Sequence, residues 1–256
     1  MDYDDAWGEQ TKELESHTRA ALQQEEVRFV DYFTREHRSD LGRDVIKALS
    51  RGKYLMQWRD IEVMKDPLDL LLYQQLLWEL KPQTIFELGA YAGGTAIWMG
   101  DLLQSYHTTG HIYSVDIDLS LLHEEAKAHP RVTFLEGDLS AIDKVLPPTW
   151  LKACPHPWLV IEDAHVNVVA ALSYFHQWMH VGDYFIVEDT NPESPALSRM
   201  GLDESLGYAP FGTEKLDELR TFMQTHSAAY RVDTYYTDMF GYNGTWNWDG
   251  FIKKIQ

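Results

Sequence analysis

Cysteine is nearly absent. Cys154 is the only one in 256 residues, so no internal disulfide can form and a small disulfide-framed secreted fold is excluded. Basic residues are also scarce: Lys and Arg number 22 against 40 Asp and Glu, a formal net charge of −18. The acids are scattered rather than gathered in a tail, and such a surface repels a phosphate backbone, so no nucleic acid is expected as a partner. Long apolar runs are missing as well. None approaches the roughly 20 residues that span a bilayer, and the start Met1-Asp2-Tyr3-Asp4-Asp5 lacks the basic and apolar regions of a signal peptide. No membrane association is expected, and the expected location is cytoplasmic. There is no internal repeat. The chain is 45% hydrophobic and long enough to bury a core of its own. A small neutral or cationic substrate suits the acidity, and homo-oligomerisation stays open.

What is present is an alternation of short apolar runs with helical stretches. Strands are expected at 84–88, 111–115, 132–135, 158–161 and 184–187, with helices at 95–103, 119–128 and 166–179 between them. Strands joined by helices of that length imply right-handed crossovers and a parallel sheet. A helix at 213–226 leads to two late strands, 230–236 and 250–255. Upstream, Asp66-Pro67-Leu68-Asp69 is a helix start, with a capping acid and proline at the first turn; Lys81-Pro82 is its stop. The expected fold is α/β, a Rossmann-like doubly wound sheet with helices on both faces. Residues 1–63, polar and helix-favouring, are expected to form an N-terminal helical appendage to a domain at 64–256.

In such sheets ligands sit beyond the carboxyl ends of the strands, and that is where the informative residues fall. Phe86-Glu87-Leu88-Gly89-Ala90-Tyr91-Ala92-Gly93-Gly94 joins the first strand to a helix. Gly89 suits a sharp turn, while Gly93 and Gly94 admit a ligand close to the backbone. Without a ligand, the same glycines would make a tight strand-to-helix turn. Glu87 suits the ammonium of an amino-acid ligand better than a pyrophosphate, which favours S-adenosylmethionine over a nicotinamide cofactor. Asp116, at the end of the second strand, is placed to accept ribose hydroxyls, with helix capping as its alternative. Asp138 follows Gly137 at the third strand end, near where an adenine ring would lie.

The fourth and fifth strands end in Glu162-Asp163-Ala164-His165 and Glu188-Asp189-Thr190. Asp163, Glu188 and Asp189 reach one sheet edge together, where unpaired like charges would repel. Mg²⁺ removes that conflict and accepts oxygen ligands; the alternative is that the acids cap helices or face solvent.

With these motifs in hand, the chain resembles the class I methyltransferases, and within them the family often labelled cephalosporin hydroxylase, which includes a cephamycin-pathway methyltransferase and rhamnosyl O-methyltransferases. The matching stretches are Asp69-Leu70-Leu71-Leu72-Tyr73-Gln74, the glycine-rich turn, Tyr184-Phe185-Ile186-Val187-Glu188-Asp189-Thr190, Phe240-Gly241-Tyr242-Asn243 and Asp249-Gly250-Phe251-Ile252-Lys253. The resemblance covers roughly 64–254. It implies a seven-stranded sheet with its last strand antiparallel, cofactor contacts at Glu87, Gly89, Asp116 and Asp138, and Mg²⁺ held by Asp163, Glu188 and Asp189. It also implies a hydroxyl-bearing sugar or natural product as substrate, in secondary metabolism or antibiotic biosynthesis. One departure stands out: catechol-type methyltransferases carry a lysine three residues after the first metal acid, and here that residue is Val166. No iron-binding histidine set accompanies the hydroxylase label.

The expected mechanism is in-line attack of a substrate oxygen on the sulfonium methyl, with Asp163 at the reacting centre and His165 as the general base, the alternative being that His165 only caps or bonds locally. The rivals are a metal-free methyltransferase acting on nitrogen or carbon, and a protein that binds S-adenosylmethionine without transfer. The loop at 192–212 is expected to act as a lid over the acceptor.

Overall fold

The computed structural model describes residues 24–192 and 214–256, together with 11–13, 16–17 and 20. The expected lid, apart from Pro192 at its start, lies outside them. Ten strands and five principal helices organise the rest. They run β1 (Phe29–Val30), α1 (Arg43–Lys53), β2 (Gln57–Trp58), β3 (Ile61–Glu62), α2 (Pro67–Leu80), β4 (Thr84–Leu88), α3 (Gly94–Ser105), β5 (His111–Asp116) and β6 (Val132–Glu136). Then come β7 (Trp158–Glu162), α4 (Val168–His176), β8 (Tyr184–Val187), α5 (Glu214–His226), β9 (Tyr230–Asp233) and β10 (Phe251–Lys254).

One sheet holds eight strands in the order β1-β9-β10-β8-β7-β4-β5-β6. The five central crossover strands are parallel, and β10 runs antiparallel to both β8 and β9. The chain winds from β4 outward to β6, then returns to β7 on the other side of β4, so the switch point lies between β4 and its neighbours. The fold is the expected Rossmann-like α/β sheet. The strand count is eight rather than seven because two residues of the N-terminal segment, Phe29 and Val30, pair with Asp233 and Val232 at the edge.

Sheet residues alternate between two cores, as a period of two requires. Phe86, Leu88, Val160 and Phe185 pack on α4 and α5 through Leu172, Phe175, Leu219 and Phe222. Ile85, Ile112, Ile161 and Ile186 pack on α2 and α3 through Leu72, Leu76, Ile97 and Leu103. Glu87 lies on the second face. Asp66 caps α2 as expected, accepting from Leu68 N at 2.9 Å, and Lys81 closes it in the left-handed region.

The N-terminal segment is not the expected run of helices. Besides α1 it contributes an edge strand and the β2–β3 hairpin. Gly94 fits under that hairpin: a Cβ there would lie 2.1 Å from Glu62 O. Arg28 and Arg35 tie the segment to the C-terminal region. Arg28 meets Asp233 at 2.7 Å and Arg35 meets both Asp238 and Asp249 at 2.7 Å. Two other expectations shift. The expected helix at 119–128 breaks into two short turns because His123 caps the second, and β9 stops at Asp233 because its carboxylate caps a turn at Thr234–Thr237. Among the described residues no helix is long and apolar enough to cross a membrane.

At the amino end of the sheet His176 stacks in a half-buried corner, its Nδ1 3.0 Å from Tyr230 Oη. Burial, with Lys254 and His226 nearby, pushes its pKa down from 6.5 to about 4. Folding therefore disfavours the imidazolium, and stability is lost as pH falls from about 6.5 towards 4. The stability of the wild type relative to His176→Gln should fall by about 1–2 kcal/mol between pH 7 and 4.5, after allowance for solvent screening. Denaturant titrations at the two pH values check this, and an unchanged difference refutes it.

Candidate active site

The register of the central strands places their ends in one line. Leu88 pairs with both Val115 and Glu162, Asp116 with Glu136, and Glu162 with Val187. One further hydrogen bond continues each ladder: Gly89 N to Val115 O at 2.8 Å, Asp163 N to Leu88 O at 2.8 Å and Glu188 N to Glu162 O at 3.0 Å. A cavity of about 200 Å³ opens over this edge, lined by Gly89, Asp116, Asp138, Leu139, Asp163 and Val166 among others.

Gly89 has φ +108°, and a Cβ there would lie 2.8 Å from Asp163 O, so two strand ends meet where a side chain cannot fit. Asp116 divides its carboxylate. Oδ2 accepts from Ala90 N and Tyr91 N, both at 2.9 Å, which fixes the glycine-rich loop. Oδ1 lies outside that loop, with only a long 3.5 Å contact from Asp118 N. Asp138 is exposed at the cavity rim and accepts from Ser140 N at 2.8 Å; that bond and the one from the Ser140 hydroxyl hold its pKa below the usual range.

Two expected cofactor residues stand off the cavity. Gly93 has φ +87° and begins α3, but a Cβ there would meet Leu122, Ala126 and Phe134, so its lack of a side chain serves packing rather than ligand approach. Glu87 is 1% exposed and bonds to the Ser114 hydroxyl. Burial pushes its pKa up to about 8 against the opposing pull of Ser114 and Lys65. It lies buried below the glycine-rich turn, where burial favours its neutral form.

The acids beyond β7 and β8 come together, with Lys65 between Asp163 and Glu188 and His165 beside Asp163 and Asp189. One ligand atom each from Asp163, His165 and Asp189 lies within 4.8 Å of the other two. His165 Nε2 is 3.0 Å from Asp189 Oδ2 and 3.7 Å from Asp163 Oδ1. Glu188 is partnered inside the cluster: Oε1 accepts from Tyr73 and Oε2 lies 3.2 Å from Lys65 Nζ. His165 and Asp189 both adopt left-handed backbone, φ +56° and +58°. That conformation is uncommon outside glycine, and such strain concentrates at functional sites. Asp189 is held there by Asn247, whose Oδ1 accepts the Asp189 N–H at 2.9 Å, and by Thr190, which donates to Trp248 O at 2.8 Å.

Two lysines, Lys65 buried and Lys53 half-buried, complete the cluster. Lys65 pairs with Asp163 as well as Glu188, and Lys53 meets Asp189 Oδ1 at 3.1 Å. Burial would raise the pKa of Asp189, but Lys53 and His165 hold it well below the carboxylate range. Burial dominates at Glu188, aided by the charges of Asp163 and Asp189, and lifts it to about 6 against Lys65. Neither lysine is marked in the sequence. Lys65 precedes a helix cap and Lys53 ends a polar helix, positions where lysine is normally solvated. Two carboxylates and an imidazole around one open point fit a divalent cation.

A family model and solved structures match most of the chain. The family model described as rhamnosyl O-methyltransferase/CmcI matches residues 51–255. A rhamnosyl O-methyltransferase of Mycobacterium leprae is 28% identical over 150 residues, covering 56% of this chain and 65% of that protein. One from Mycobacterium tuberculosis is 25% identical over 135 residues, covering 51% and 55%. The chain therefore spans between about half and two thirds of the length of these curated relatives. Among solved structures, an apo structure of CmcI superposes with a TM-score of 0.61 at 26% identity, over 79% of this chain and 77% of that one. A CmcI structure described as Mg-SAM gives 0.59 at 26% identity, over 79% and 78%. A match over residues 51–255 takes in both site lysines, the glycine-rich turn and every acid of the cluster, and the chain belongs to the rhamnosyl O-methyltransferase/CmcI family.

Proposed function

We propose that the chain is an S-adenosylmethionine-dependent O-methyltransferase, assisted by a divalent cation such as Mg²⁺, that methylates a hydroxyl of a small molecule such as a sugar or natural product. The observation that carries this reading is the meeting of two sites at one sheet edge. A cavity bounded by Gly89, Asp116 and Asp138 adjoins the Asp163–His165–Asp189 cluster, with Asp163 in both. Donor and acceptor held across Asp163 would be in line for direct transfer.

When bound, the donor supplies an electrophilic methyl group and the cation lowers the pKa of an acceptor hydroxyl. The chain's own residues do the rest. Asp116 Oδ1 takes a ribose hydroxyl while Oδ2 keeps the loop in place. Ile117, exposed beside it, and Leu139 give an apolar face for a base, with Asp138 at the rim for its amine. Glu87 supports the loop from below, facing the amino-acid end of the donor. Asp163 Oδ1 and Asp189 Oδ2 orient the acceptor oxygen. Two roles compete for His165 Nε2, proton acceptor and cation ligand. Lys53 and Lys65 neutralise the rear oxygens of the acids, so the pocket carries less negative charge than three carboxylates imply.

Mass spectrometry of the natively purified protein tests the donor, with S-adenosylmethionine or its demethylated product as the expected companion. Asp116→Ala should weaken donor binding by about 1–3 kcal/mol, the loss of a bound polar group's partner together with the loop's anchor. Calorimetry showing equal affinity for wild type and variant would remove the assignment of Asp116.

A further inference from the structure

We infer that Glu218, with Lys215 one turn before it on α5, is a positioning residue for methyl transfer: the two side chains hold both ends of the loop between β7 and α4, and through it Asp163 and His165. This deepens the function proposed above and rests on it.

The loop runs over residues 163–167 and carries two left-handed residues, His165 at φ +56° and Asn167 at φ +48°. Such a backbone persists only where its surroundings over-determine it. Asn167 stands at the N-cap of α4 but makes no side-chain cap bond. The cap comes from another helix instead, with Glu218 Oε2 accepting the Val168 N–H at 2.8 Å. At the loop's other end Glu162 is fully buried. Its Oε1 accepts the Ala164 N–H at 3.1 Å, and Lys215 Nζ donates both to its Oε2 and, at 3.1 Å, to its main-chain oxygen. That main-chain oxygen also accepts the Glu188 N–H at 3.0 Å, so Lys215 ties the turn after β7 to the turn after β8. Leu219 and Phe222 share a core with Leu172 and Phe175, which seats α5 on α4.

Between the anchored amides of Ala164 and Val168 stand His165, 3.0 Å from Asp189, and Val166, which lines the cavity. Where α5 places Glu218 therefore decides how the loop presents His165 to Asp189 and Asp163 to the cavity. Catalysis is sensitive to such placement: a shift of about 1 Å costs on the order of 10²-fold in rate.

The test compares Glu218→Ala, Glu218→Asp and Glu218→Gln in the full chain. Gln keeps an oxygen that can accept the Val168 N–H; Asp keeps the charge but is one methylene short; Ala keeps neither. Tritium transfer from methyl-labelled S-adenosylmethionine to a panel of sugars and phenols gives the rate. In Glu218→Ala kcat should fall about 10–100-fold, with donor affinity within about threefold and melting temperature within about 4 °C. Glu218→Asp should lose rate likewise, which keeps the comparison if the Ala variant folds poorly. Glu218→Gln should stay within about threefold of the wild type. Hydrogen exchange at the Val168 amide should be at least about tenfold faster in the Ala and Asp variants than in the wild type, with the amides of β4 and β5 unchanged. Unchanged exchange at Val168, more than half the wild-type rate in Glu218→Ala and Glu218→Asp, or a rate in Glu218→Gln as low as in Glu218→Ala overturns the inference and leaves the proposed function standing. A wild type that binds no S-adenosylmethionine and labels no acceptor overturns that function, and the inference with it.

Discussion

Asp189→Asn should reduce methyl transfer by about 10²–10³-fold while leaving S-adenosylmethionine affinity within about threefold. Asn has nearly the same shape, and it is among the few residues that tolerate φ near +58°, so the turn held by Asn247 survives the change. What disappears is the charge. Lys53 loses its partner at 3.1 Å, His165 loses its partner at 3.0 Å, and a cation loses one carboxylate. Asp163→Asn should fall by a similar factor, and the double variant should be little worse than either single one, because the residues act as one unit. Asp189→Ala should be worse in a different way, adding a loss of stability from backbone strain. Steady-state rates beside donor calorimetry separate these outcomes. An Asp189→Asn enzyme with more than half the wild-type rate would show that the cluster is not the reacting centre.

Lys65→Met should destabilise the fold by about 3–5 kcal/mol, the usual result of removing one partner from a buried ion pair. For a chain of this size that is a fall in melting temperature on the order of 10 °C. Lys65 is 4% exposed and sits between Asp163 and Glu188, with the charge of Glu87 also within reach. Methionine fills most of the volume, so the loss isolates charge from packing. Glu188 already has its pKa lifted to about 6, and without Lys65 it rises further. A raised carboxyl pKa makes the folded state bind protons more readily than the unfolded one, so the deficit should shrink as pH falls towards about 6 and change little below it, where Glu188 takes up its proton in the wild type too. Lys65→Met with Glu188→Gln should recover more than half of the loss. An unchanged melting temperature in the single variant would mean that the ion pair contributes nothing net.

The two variants probe the parts of the site that differ most in how they show in the sequence. Strands β4 to β8 announce themselves because buried parallel strands are short continuous apolar runs, and their ends are marked by glycines and acids in a fixed order. Asp116, Asp138, Asp163 and Asp189 could be placed at the sheet edge for that reason. The direction in which Glu188 points could not. It follows Val187, where the chain leaves the strand, and its orientation depends on Tyr73 in α2 and Lys65 ahead of it. Those contacts span more than a hundred residues of sequence and leave no periodic trace. Gly93 misled for a related reason: a glycine required by packing against Leu122 and Ala126 looks the same as one required by a ligand. The edge strand Phe29–Val30 is two residues long, too short for any alternation to show.

The central claim is metal-assisted transfer of a methyl group from S-adenosylmethionine to a hydroxyl at this edge. The most direct measurement follows tritium from methyl-labelled S-adenosylmethionine into a panel of hydroxylated acceptors, sugars and phenols among them, with Mg²⁺ or Mn²⁺ and again in excess chelator. The account predicts label in at least one acceptor with metal, loss of transfer in chelator, and recovery when metal is restored to the wild type but not to Asp163→Asn or Asp189→Asn. Undiminished transfer to the same acceptor in excess chelator would contradict it.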